Sequence, residues 1–208
     1  MSEHPDHYFT AEPASPEERR TIRVRLEGRD LSLTTARGVY SPDRLDPGTA
    51  VLLAGAPDPS PTGDLLDLGC GWGPVTISLA LRSPDAHVWG VDVNRRALQL
   101  AALNTEASGV GNVTLCEPDE VPEGLHFRTI WSNPPIHVGK AALHALLERW
   151  LPRLAEDGVA HLVVQKHLGS DSLQKWINGQ GWGLACRRIA SSKGFRILEV
   201  RRSPSAPR

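Results

Sequence analysis

The stretch Asp67-Leu68-Gly69-Cys70-Gly71-Trp72-Gly73 decides the fold, because it closes a short apolar run and leads into an apolar segment of helical character. Alternating glycines let a backbone turn tightly and approach a ligand without interference from Cβ atoms. Pro74 follows directly, at a position that the first turn of a helix tolerates. Asp92 lies 21 residues beyond Gly71, at the end of the next apolar run. A carboxylate there can accept hydrogen bonds from both hydroxyls of a ribose, so the segment predicts a strand–loop–helix unit that binds a nucleoside.

The spacing of the glycines distinguishes this loop from the common dinucleotide-binding loop. That fingerprint is G-x-G-x-x-G and holds a pyrophosphate at a helix N-terminus, whereas this loop is G-x-G-x-G followed by proline. Asp67 would repel a diphosphate but suits a ligand that carries an ammonium group. We therefore favour S-adenosylmethionine over a nicotinamide dinucleotide, whose binding would instead indicate an oxidoreductase. The expected cofactor contacts of this region are Asp67, Gly69, Cys70, Gly71, Gly73, Asp92 and Val93.

Strands and helices alternate from residue 63 onward. We predict strands at 64–68, 86–93, 112–116, 127–132, 158–165, 182–189 and 195–201, with helices at 74–81, 94–107, 140–154 and about 170–178. Asn94 is expected to cap the second helix, and Ser170 or Asp171 the fourth. The last two strands are joined by residues 190–194, which is too short a link for a parallel pair. The pattern predicts an α/β, Rossmann-like, doubly wound and mostly parallel seven-stranded sheet with an antiparallel C-terminal hairpin.

The region before residue 63 has a different character. Residues 1–20 are rich in Pro, Glu and Ser and are expected to form an arm, while 21–26 and 31–35 alternate apolar and polar residues, as a β-hairpin does. Residues 55–63 contain three prolines and two glycines, which is typical of a linker. We therefore divide the chain into an arm at 1–20, a small hairpin region at 21–62 packed on the main domain, the main domain at 63–202 and a disordered tail at 203–208.

Composition excludes several classes of protein. The chain has 208 residues, of which 40% are hydrophobic and 23% charged, so it is too apolar for a disordered protein and too charged for a membrane protein. The first residues show no secretory signal pattern. The three cysteines are scattered, and the cysteines and histidines lack metal-ligand spacing. We expect a cytoplasmic protein with no membrane and no metal partner.

Charge is distributed unevenly along the chain. The formal net charge is -1, yet residues 140–208 carry twelve Lys and Arg against five Asp and Glu. Such an excess can bind phosphates of a nucleic acid. Basic residues that merely solvate helix and strand faces explain the excess equally well.

A second motif, Ser132-Asn133-Pro134-Pro135, stands at the end of the fourth strand of the main domain. Ligands of open α/β sheets bind outside the carboxyl ends of the strands, so the motif should share a crevice with the glycine loop. The side-chain oxygen of Asn133 and the carbonyl of Pro134 could accept both hydrogens of one planar amino group. That contact would turn the nitrogen lone pair toward an incoming methyl group, and catalysis would rest on orientation and electrostatic preorganisation.

The glycine loop, Asp92 and the closing hairpin resemble the class I S-adenosylmethionine-dependent methyltransferases over residues 62–202. Asn133-Pro134-Pro135 followed by His137, Gly139 and Lys140 is similar to the methyltransferase small domain family, whose members methylate guanine N2 of small-subunit ribosomal RNA. In that family an aromatic residue usually follows the prolines and stacks on the flipped base. Here Ile136 stands at that position, so apolar contact or another ring, such as Tyr8, Phe9 or Tyr40, must replace the stacking.

The resemblance assigns further residues. The segment Leu45-Asp46-Pro47-Gly48-Thr49 is similar to the one that packs beside the methionine end of the cofactor in that family, which makes Thr49 a cofactor contact. The family also places an acid near the adenine amino group, for which we prefer Asp119 to Glu117. Asn133 is expected to contact the cofactor as well as the target amino group. The remaining candidates for substrate contacts are His137, Lys140 and Lys166.

The motifs predict an S-adenosylmethionine-dependent N-methyltransferase that acts on an exocyclic amino group, and the family resemblance implies that this group is guanine N2 in ribosomal RNA or the small ribosomal subunit. Asn133, Pro134, Pro135 and Ile136 are its expected catalytic segment. A protein glutamine N5-methyltransferase and an adenine N6-methyltransferase share the Asn-Pro-Pro motif and remain alternatives. A catalytically inactive RNA-binding relative is a further one, which Ile136 allows.

Overall fold

The computed structural model describes residues 16–135 and 138–203. The candidate contacts Tyr8, Phe9, Ile136 and His137, most of the expected arm and residues 204–208 of the expected tail lie outside the described residues.

The described chain forms nine strands and five α-helices. A two-stranded sheet pairs β1 with β2, and a seven-stranded sheet has the order β5-β4-β3-β6-β7-β9-β8. In the large sheet β9 runs antiparallel to both β7 and β8, while the other neighbouring pairs are parallel. The expected fold class is confirmed. The bounds are β1 Arg19–Leu26, β2 Arg29–Ala36, α1 Pro47–Gly55, β3 Thr62–Leu68, α2 Pro74–Arg82, β4 Asp85–Val91, α3 Arg95–Ala107, β5 Val113–Cys116, β6 Phe127–Ser132, α4 Lys140–Trp150, β7 Leu154–Gln165, α5 Ser170–Asn178, β8 Leu184–Ser192 and β9 Phe195–Arg202.

The helix caps agree with the sequence in one case and not in the other. The side chain of Asn94 accepts a hydrogen bond from the backbone N–H of Ala97 and so caps α3, as expected. The expected cap of α5 by Ser170 or Asp171 is wrong, since Gly169 in the left-handed conformation precedes this helix and no side chain caps it. Ser170 is buried, and its hydroxyl instead accepts a hydrogen bond from Arg196.

The N-terminal region shares its core with the main sheet. The hairpin is confirmed but longer than expected, and β1 already includes residues 19 and 20, which the sequence assigned to the arm. Helix α1, which is not among the predicted helices, lies against β7 and β9. Leu26, Leu33 and Val51 belong to the same buried cluster as Val75 and Ile77 of α2. The linker-like stretch at 55–63 therefore joins two parts of one core.

The C-terminal hairpin is tighter than the sequence suggested. Strands β8 and β9 continue to a two-residue turn, Lys193-Gly194, with φ of 49° and 81°. Positive φ at both central residues suits the right-handed twist of a hairpin. The turn pairs Phe195 with Ser192 on one side and with Gln165, the last residue of β7, on the other. Phe195 is thereby held at the carboxyl edge of the parallel strands.

The helices in the described part of the chain are all too short or too polar to cross a membrane.

Strand β7 has a bulge near its start, because its pairing with β6 passes from Phe127–Leu154 directly to Thr129–Val159. This bulge provides a test of the fold. A Cβ on Gly158 would lie 2.6 Å from the carbonyl oxygen of Phe127 and 2.9 Å from the backbone nitrogen of Ala155. Backbone atoms cannot move aside cheaply, so we expect Gly158→Ala to lower the free energy of unfolding by about 2 kcal/mol or more in urea titrations followed by circular dichroism. Gly111→Ala is the matched control, because a Cβ there meets nothing within 4 Å. Its effect should stay within about 0.5 kcal/mol. Equal stability of the two variants would contradict the bulge geometry.

Candidate active site

A cavity of about 940 Å³, including open solvent at its mouth, lies at the carboxyl edge of the large sheet. Its walls follow the strand order, with Pro118 after β5, Asp92 after β4 and the glycine loop after β3. Asn133 follows β6 and Gln165 ends β7. The two motifs of the sequence therefore share one crevice, as expected.

The first two glycines of the loop are shaped for close approach of a ligand. Gly69 and Gly71 have φ of 80° and 55°, and a Cβ on either would meet nothing within 4 Å. Both residues line the cavity. Gly73 differs, because a Cβ there would lie 3.3 Å from the Cβ of Ala101 on α3. Its smallness therefore serves the packing of the loop on a helix, and Gly73 does not line the cavity.

Asp92, directly after β4, is hydrogen-bonded to the glycine loop. One carboxylate oxygen accepts a hydrogen bond from the N–H of Gly71 at 2.8 Å, and the other accepts from the N–H of Asn94 at 2.9 Å. Burial raises the pKa of Asp92 above its ordinary value. Val93 follows it, 38% exposed, and also lines the cavity. The carboxylate is therefore fixed in orientation at the place expected for a ribose contact.

Asp67 lies in a smaller adjoining cavity that Thr49 and Cys70 also line. The hydroxyl of Thr76 donates a 2.6 Å hydrogen bond to its carboxylate. Burial raises the pKa of Asp67 to about 7. No cationic side chain of the described residues offsets that effect. A buried carboxyl group without a cation partner is a suitable receptor for a positively charged ligand.

The amide of Asn133 is held by residues from outside the main sheet. Its nitrogen donates to a carboxylate oxygen of Asp46 at 2.7 Å and to the hydroxyl of Thr49 at 3.1 Å. The same oxygen of Asp46 accepts the N–H of Thr49 and so caps α1, while the other accepts the hydroxyl hydrogen of Tyr40 at 2.8 Å. Both donor hydrogens of Asn133 are thus used. Asn133 lines both cavities, and within the described ranges no hydrogen bond reaches its side-chain oxygen.

The prolines complete this acceptor site. Pro134 is buried, Pro135 is half-buried, and both line the cavity. The hydroxyl of Ser132 donates to the carbonyl of Leu68 at 2.7 Å, which ties the end of β6 to the end of β3. Among the described residues no donor reaches the carbonyl of Pro134. Two acceptors, the Asn133 side chain and the Pro134 backbone, therefore stand together beside the glycine loop.

Two residues of this site were missed or misjudged from the sequence. From the sequence, Asp46 is predicted only to lie in a segment beside the cofactor. An acid followed by proline and an apolar run is also an N-cap signal, and that signal predicts α1. Phe195 was assigned to a strand alone, yet it lines the cavity with Gln165 and Leu168. Its position depends on the tight turn at Lys193-Gly194 and on the pairing of β9 with β7.

The weaker candidates have different positions. The side chain of Asp119 is 91% exposed and pairs with Arg149 at 2.8 Å, and its neighbour Pro118 lines the cavity instead. Lys140 begins α4 and Lys166 follows β7, and both are exposed. Tyr40 lines both cavities.

Part of the basic excess in the C-terminal third is structural. Arg187 and Arg201 contact the buried carboxylate of Glu199 at 2.8 and 3.1 Å. Burial alone would raise the pKa of Glu199, but these two guanidinium groups hold it at about 2. Arg196 is nearly buried against Ser170 and Asp171. The exposed lysines near the cavity are therefore better candidates for phosphate contacts than these arginines.

No group of three or more His, Cys, Asp or Glu residues in the described ranges is arranged to hold a metal ion.

The sheet order, the glycine loop with Asp92 on the next strand, and the Asn-Pro-Pro motif at the same edge define a domain of the class I methyltransferase type. A model of the methyltransferase small domain family matches residues 30–199. The chain belongs to this family.

Three relatives illustrate the similarity. The protein YbxB of Bacillus subtilis is 34% identical over 170 residues, which are 80% of this chain and 85% of that protein. Ribosomal RNA small subunit methyltransferase C of Pseudomonas aeruginosa is 35% identical over 184 residues, 86% of this chain and 53% of that enzyme. A solved structure is also similar, that of the T. thermophilus 16S rRNA N2 methyltransferase RsmC in complex with AdoMet and guanosine. The two chains match with a TM-score of 0.75 and 25% identity, and the match covers 91% of this chain and 52% of the RsmC chain. The chain thus spans about half the length of these two methyltransferases.

The linkage of Asp46 to α1 and Asn133 can be tested by stability. Asp46→Ala removes a helix cap and leaves the amide of Asn133 short of a partner, so we expect a loss of about 1–2 kcal/mol in urea unfolding. Asp43→Ala is the control, because Asp43 is exposed and its ion pair among the described residues is a surface one with Arg20. Such a pair contributes roughly 0–1 kcal/mol. A loss for Asp46→Ala no larger than for Asp43→Ala would argue against the network.

Proposed function

We propose that this protein transfers the methyl group of S-adenosylmethionine to an exocyclic amino group of RNA, namely guanine N2 in small-subunit ribosomal RNA. The observation that carries the proposal is the orientation of Asn133. Its nitrogen is engaged by Asp46 and Thr49, which leaves its oxygen to accept from a ligand in the cavity that Asn133 and Asp92 both line. An acceptor beside a nucleoside site is what an amino-group substrate requires.

The residues present suit the cofactor. Gly69 and Gly71 leave open space over the loop, which a bound adenosine moiety can occupy. Asp92 is the carboxylate for the ribose hydroxyls. The buried Asp67, without a cation partner in the described chain, is the receptor for the ammonium of the methionine end. When bound, the cofactor supplies an electrophilic methyl group on a sulfonium.

The chain contributes orientation and proton handling to the reaction. The oxygens of Asn133 and Pro134 accept the two hydrogens of the target amino group and aim its lone pair at the methyl position. Asp46 holds the Asn133 amide in the required orientation at 2.7 Å. Positive charge develops on the nitrogen as the new bond forms, and the two oxygens stabilise that charge. The nitrogen then becomes acidic, so its proton can pass to water without a strong base in the site.

Two further features support an RNA acceptor. The relatives named above include methyltransferases of small-subunit ribosomal RNA. The structural match to the T. thermophilus enzyme extends over 91% of this chain. The exposed Lys140 and Lys166 stand at the carboxyl edge of the sheet beside the cavity, where phosphates of a bound strand would pass. The target base must be unpaired or flipped to enter the cavity. A ribosomal substrate also implies a cytoplasmic location.

The decisive experiment incubates the purified protein with radiolabelled S-adenosylmethionine and small ribosomal subunits, or naked RNA, from cells that lack the modification. We expect label in RNA, and digestion to nucleosides should give N2-methylguanosine. Label on adenine N6 or on protein glutamine would establish one of the alternative acceptors. Label in none of these substrates, with RNA binding intact, would indicate an inactive relative.

Substitution of Asn133 tests the acceptor geometry. We expect Asn133→Ala to lower kcat by about 100-fold or more, because it removes an oriented contact to the reacting nitrogen. The affinity for S-adenosylhomocysteine, measured by calorimetry, should change by less than about tenfold. Gly111→Ala is the control for expression and handling, since Gly111 lies in open space away from the site. Near-normal turnover by Asn133→Ala would overturn the proposed role.

Asp67 predicts a pH dependence of cofactor binding. Because the pKa of Asp67 is raised, its carboxyl group stays protonated in the folded, ligand-free protein between pH 3.8 and about 7, where the unfolded chain has already lost that proton. The free energy of unfolding therefore decreases as pH rises through that interval. A ligand ammonium requires the ionised carboxylate, so binding releases a proton.

We therefore expect the affinity for S-adenosylhomocysteine to rise between pH 6 and pH 8. Asp67→Asn should bind about tenfold or more weakly at pH 8 and lose the dependence. Calorimetry in buffers of different ionisation enthalpy measures both quantities. An unchanged pH profile in Asp67→Asn would remove Asp67 from the ammonium site.

A further inference from the structure

The cavity extends beyond Asn133 to an end that the glycine loop does not reach. Gln165, Leu168 and Phe195 line this end. Leu168 is 40% exposed and the ring of Phe195 is half-buried. The strand order places these residues on the side of Asn133 opposite to Asp92. Leu168 and Phe195 make this end of the cavity largely apolar, and it lies next to Asn133 in the strand order.

Phe195 is held rigidly at this place. It pairs with both Gln165 and Ser192 in the sheet, directly after the tight turn at Lys193-Gly194. The carbonyl of Gly194 accepts the N–H of Lys166 at 2.8 Å, which fastens the turn to the end of β7. A ring on such a support loses little conformational freedom when it contacts a ligand.

The ring also lies close to the acceptor. A Cβ placed on Gly48 would be 2.9 Å from the ring of Phe195 and 3.3 Å from the side-chain oxygen of Asn133. Gly48 is therefore the small residue that lets the ring and the amide oxygen come together. An amino group held by Asn133 would bring the rest of its planar base toward the ring.

Tyr40 supplies the other aromatic ring in the described lining of the cavity, and it belongs to the cofactor side. Its hydroxyl donates to Asp46, and it lines the smaller cavity together with Asp67 and Cys70. In the methyltransferase small domain family an aromatic residue after the two prolines contacts the base, but this chain has Ile136 there.

We propose that Phe195 supplies the aromatic contact to the acceptor base, a flipped purine of RNA, and compensates for the aliphatic residue at position 136. The inference rests on the proposed function and names the substrate contact of that same site. Stacking of a base on an aromatic side chain works for any base, because it depends on the π-faces of the two rings. An aliphatic side chain of similar volume has no such face and cannot reproduce the contact.

The test compares Phe195→Leu and Phe195→Tyr with the wild-type protein. For Phe195→Leu we expect a decrease of about 10- to 100-fold in kcat/KM for the RNA substrate, mainly through KM. Its affinity for S-adenosylhomocysteine should stay within about twofold. Phe195→Tyr should keep kcat/KM within about threefold, because it keeps the ring. Introducing Ile136→Phe into Phe195→Leu should restore part of the lost activity.

Ile189→Ala is the matched control for damage to the hairpin, since Ile189 is a half-buried apolar residue of β8 that does not line the cavity. Circular dichroism and thermal unfolding of each variant separate misfolding from loss of the contact. If Phe195→Leu does not fold, Phe195→Met takes its place in the same comparison.

The outcomes separate this inference from the proposed function. A wild-type protein that methylates no RNA overturns the proposed function and the base contact with it. If the wild-type protein methylates RNA and Phe195→Leu does so equally well, the base contact alone is overturned. Equal losses in Phe195→Leu and Phe195→Tyr, or in Phe195→Leu and Ile189→Ala, also overturn it, because the aromatic ring would then have no particular role.

Discussion

The parallel pairing of β3 with β4 and with β6 is the constraint on which the site depends. Leu68 lies opposite Val91, and Asp67 lies opposite Trp131, so the three strands end at the same edge. Neighbouring strands are about 4.8 Å apart. The glycine loop, Asp92 and Asn133 follow these strands and are therefore placed side by side, although 64 residues separate Gly69 from Asn133. The site exists because the register aligns the strand ends.

The N-terminal region completes what the parallel strands begin. Asp46 reaches Asn133 from the start of α1, and its carboxylate also receives the N–H of Thr49 and the hydroxyl of Tyr40. One side chain thus caps a helix and orients an amide of the main sheet. The shared core explains how this contact stays in place, since the hairpin and α1 pack in the same apolar cluster as α2.

Sequence reasoning worked best where function depends on short stretches of chain. The glycine loop and Asp92 were assigned from spacing alone, and Gly69, Gly71 and Asp92 do line one cavity with Asn133. A residue's position is harder to predict where it depends on distant partners. Asp119, the acid that the resemblance places near the adenine amino group, has a side chain that is 91% exposed and pairs with Arg149. The charge count of the C-terminal third leaves open whether its basic residues bind phosphates or only solvate the surface, and the fold shows that two of them, Arg187 and Arg201, contact the buried Glu199.

The sequence by itself determined the α/β order, the glycine loop, the acid on the next strand and the Asn-Pro-Pro motif, because each is encoded in consecutive residues or in apolar periodicity. Tertiary structure alone decided which way the Asn133 amide points, that Gly73 packs on Ala101, and that Phe195 faces the cavity. Those features depend on side chains that are far apart in sequence and meet only when the strands are in register. The burial that raises the pKa of Asp67 to about 7 arises in the same way, since desolvation depends on what packs around a group and not on its neighbours in the chain.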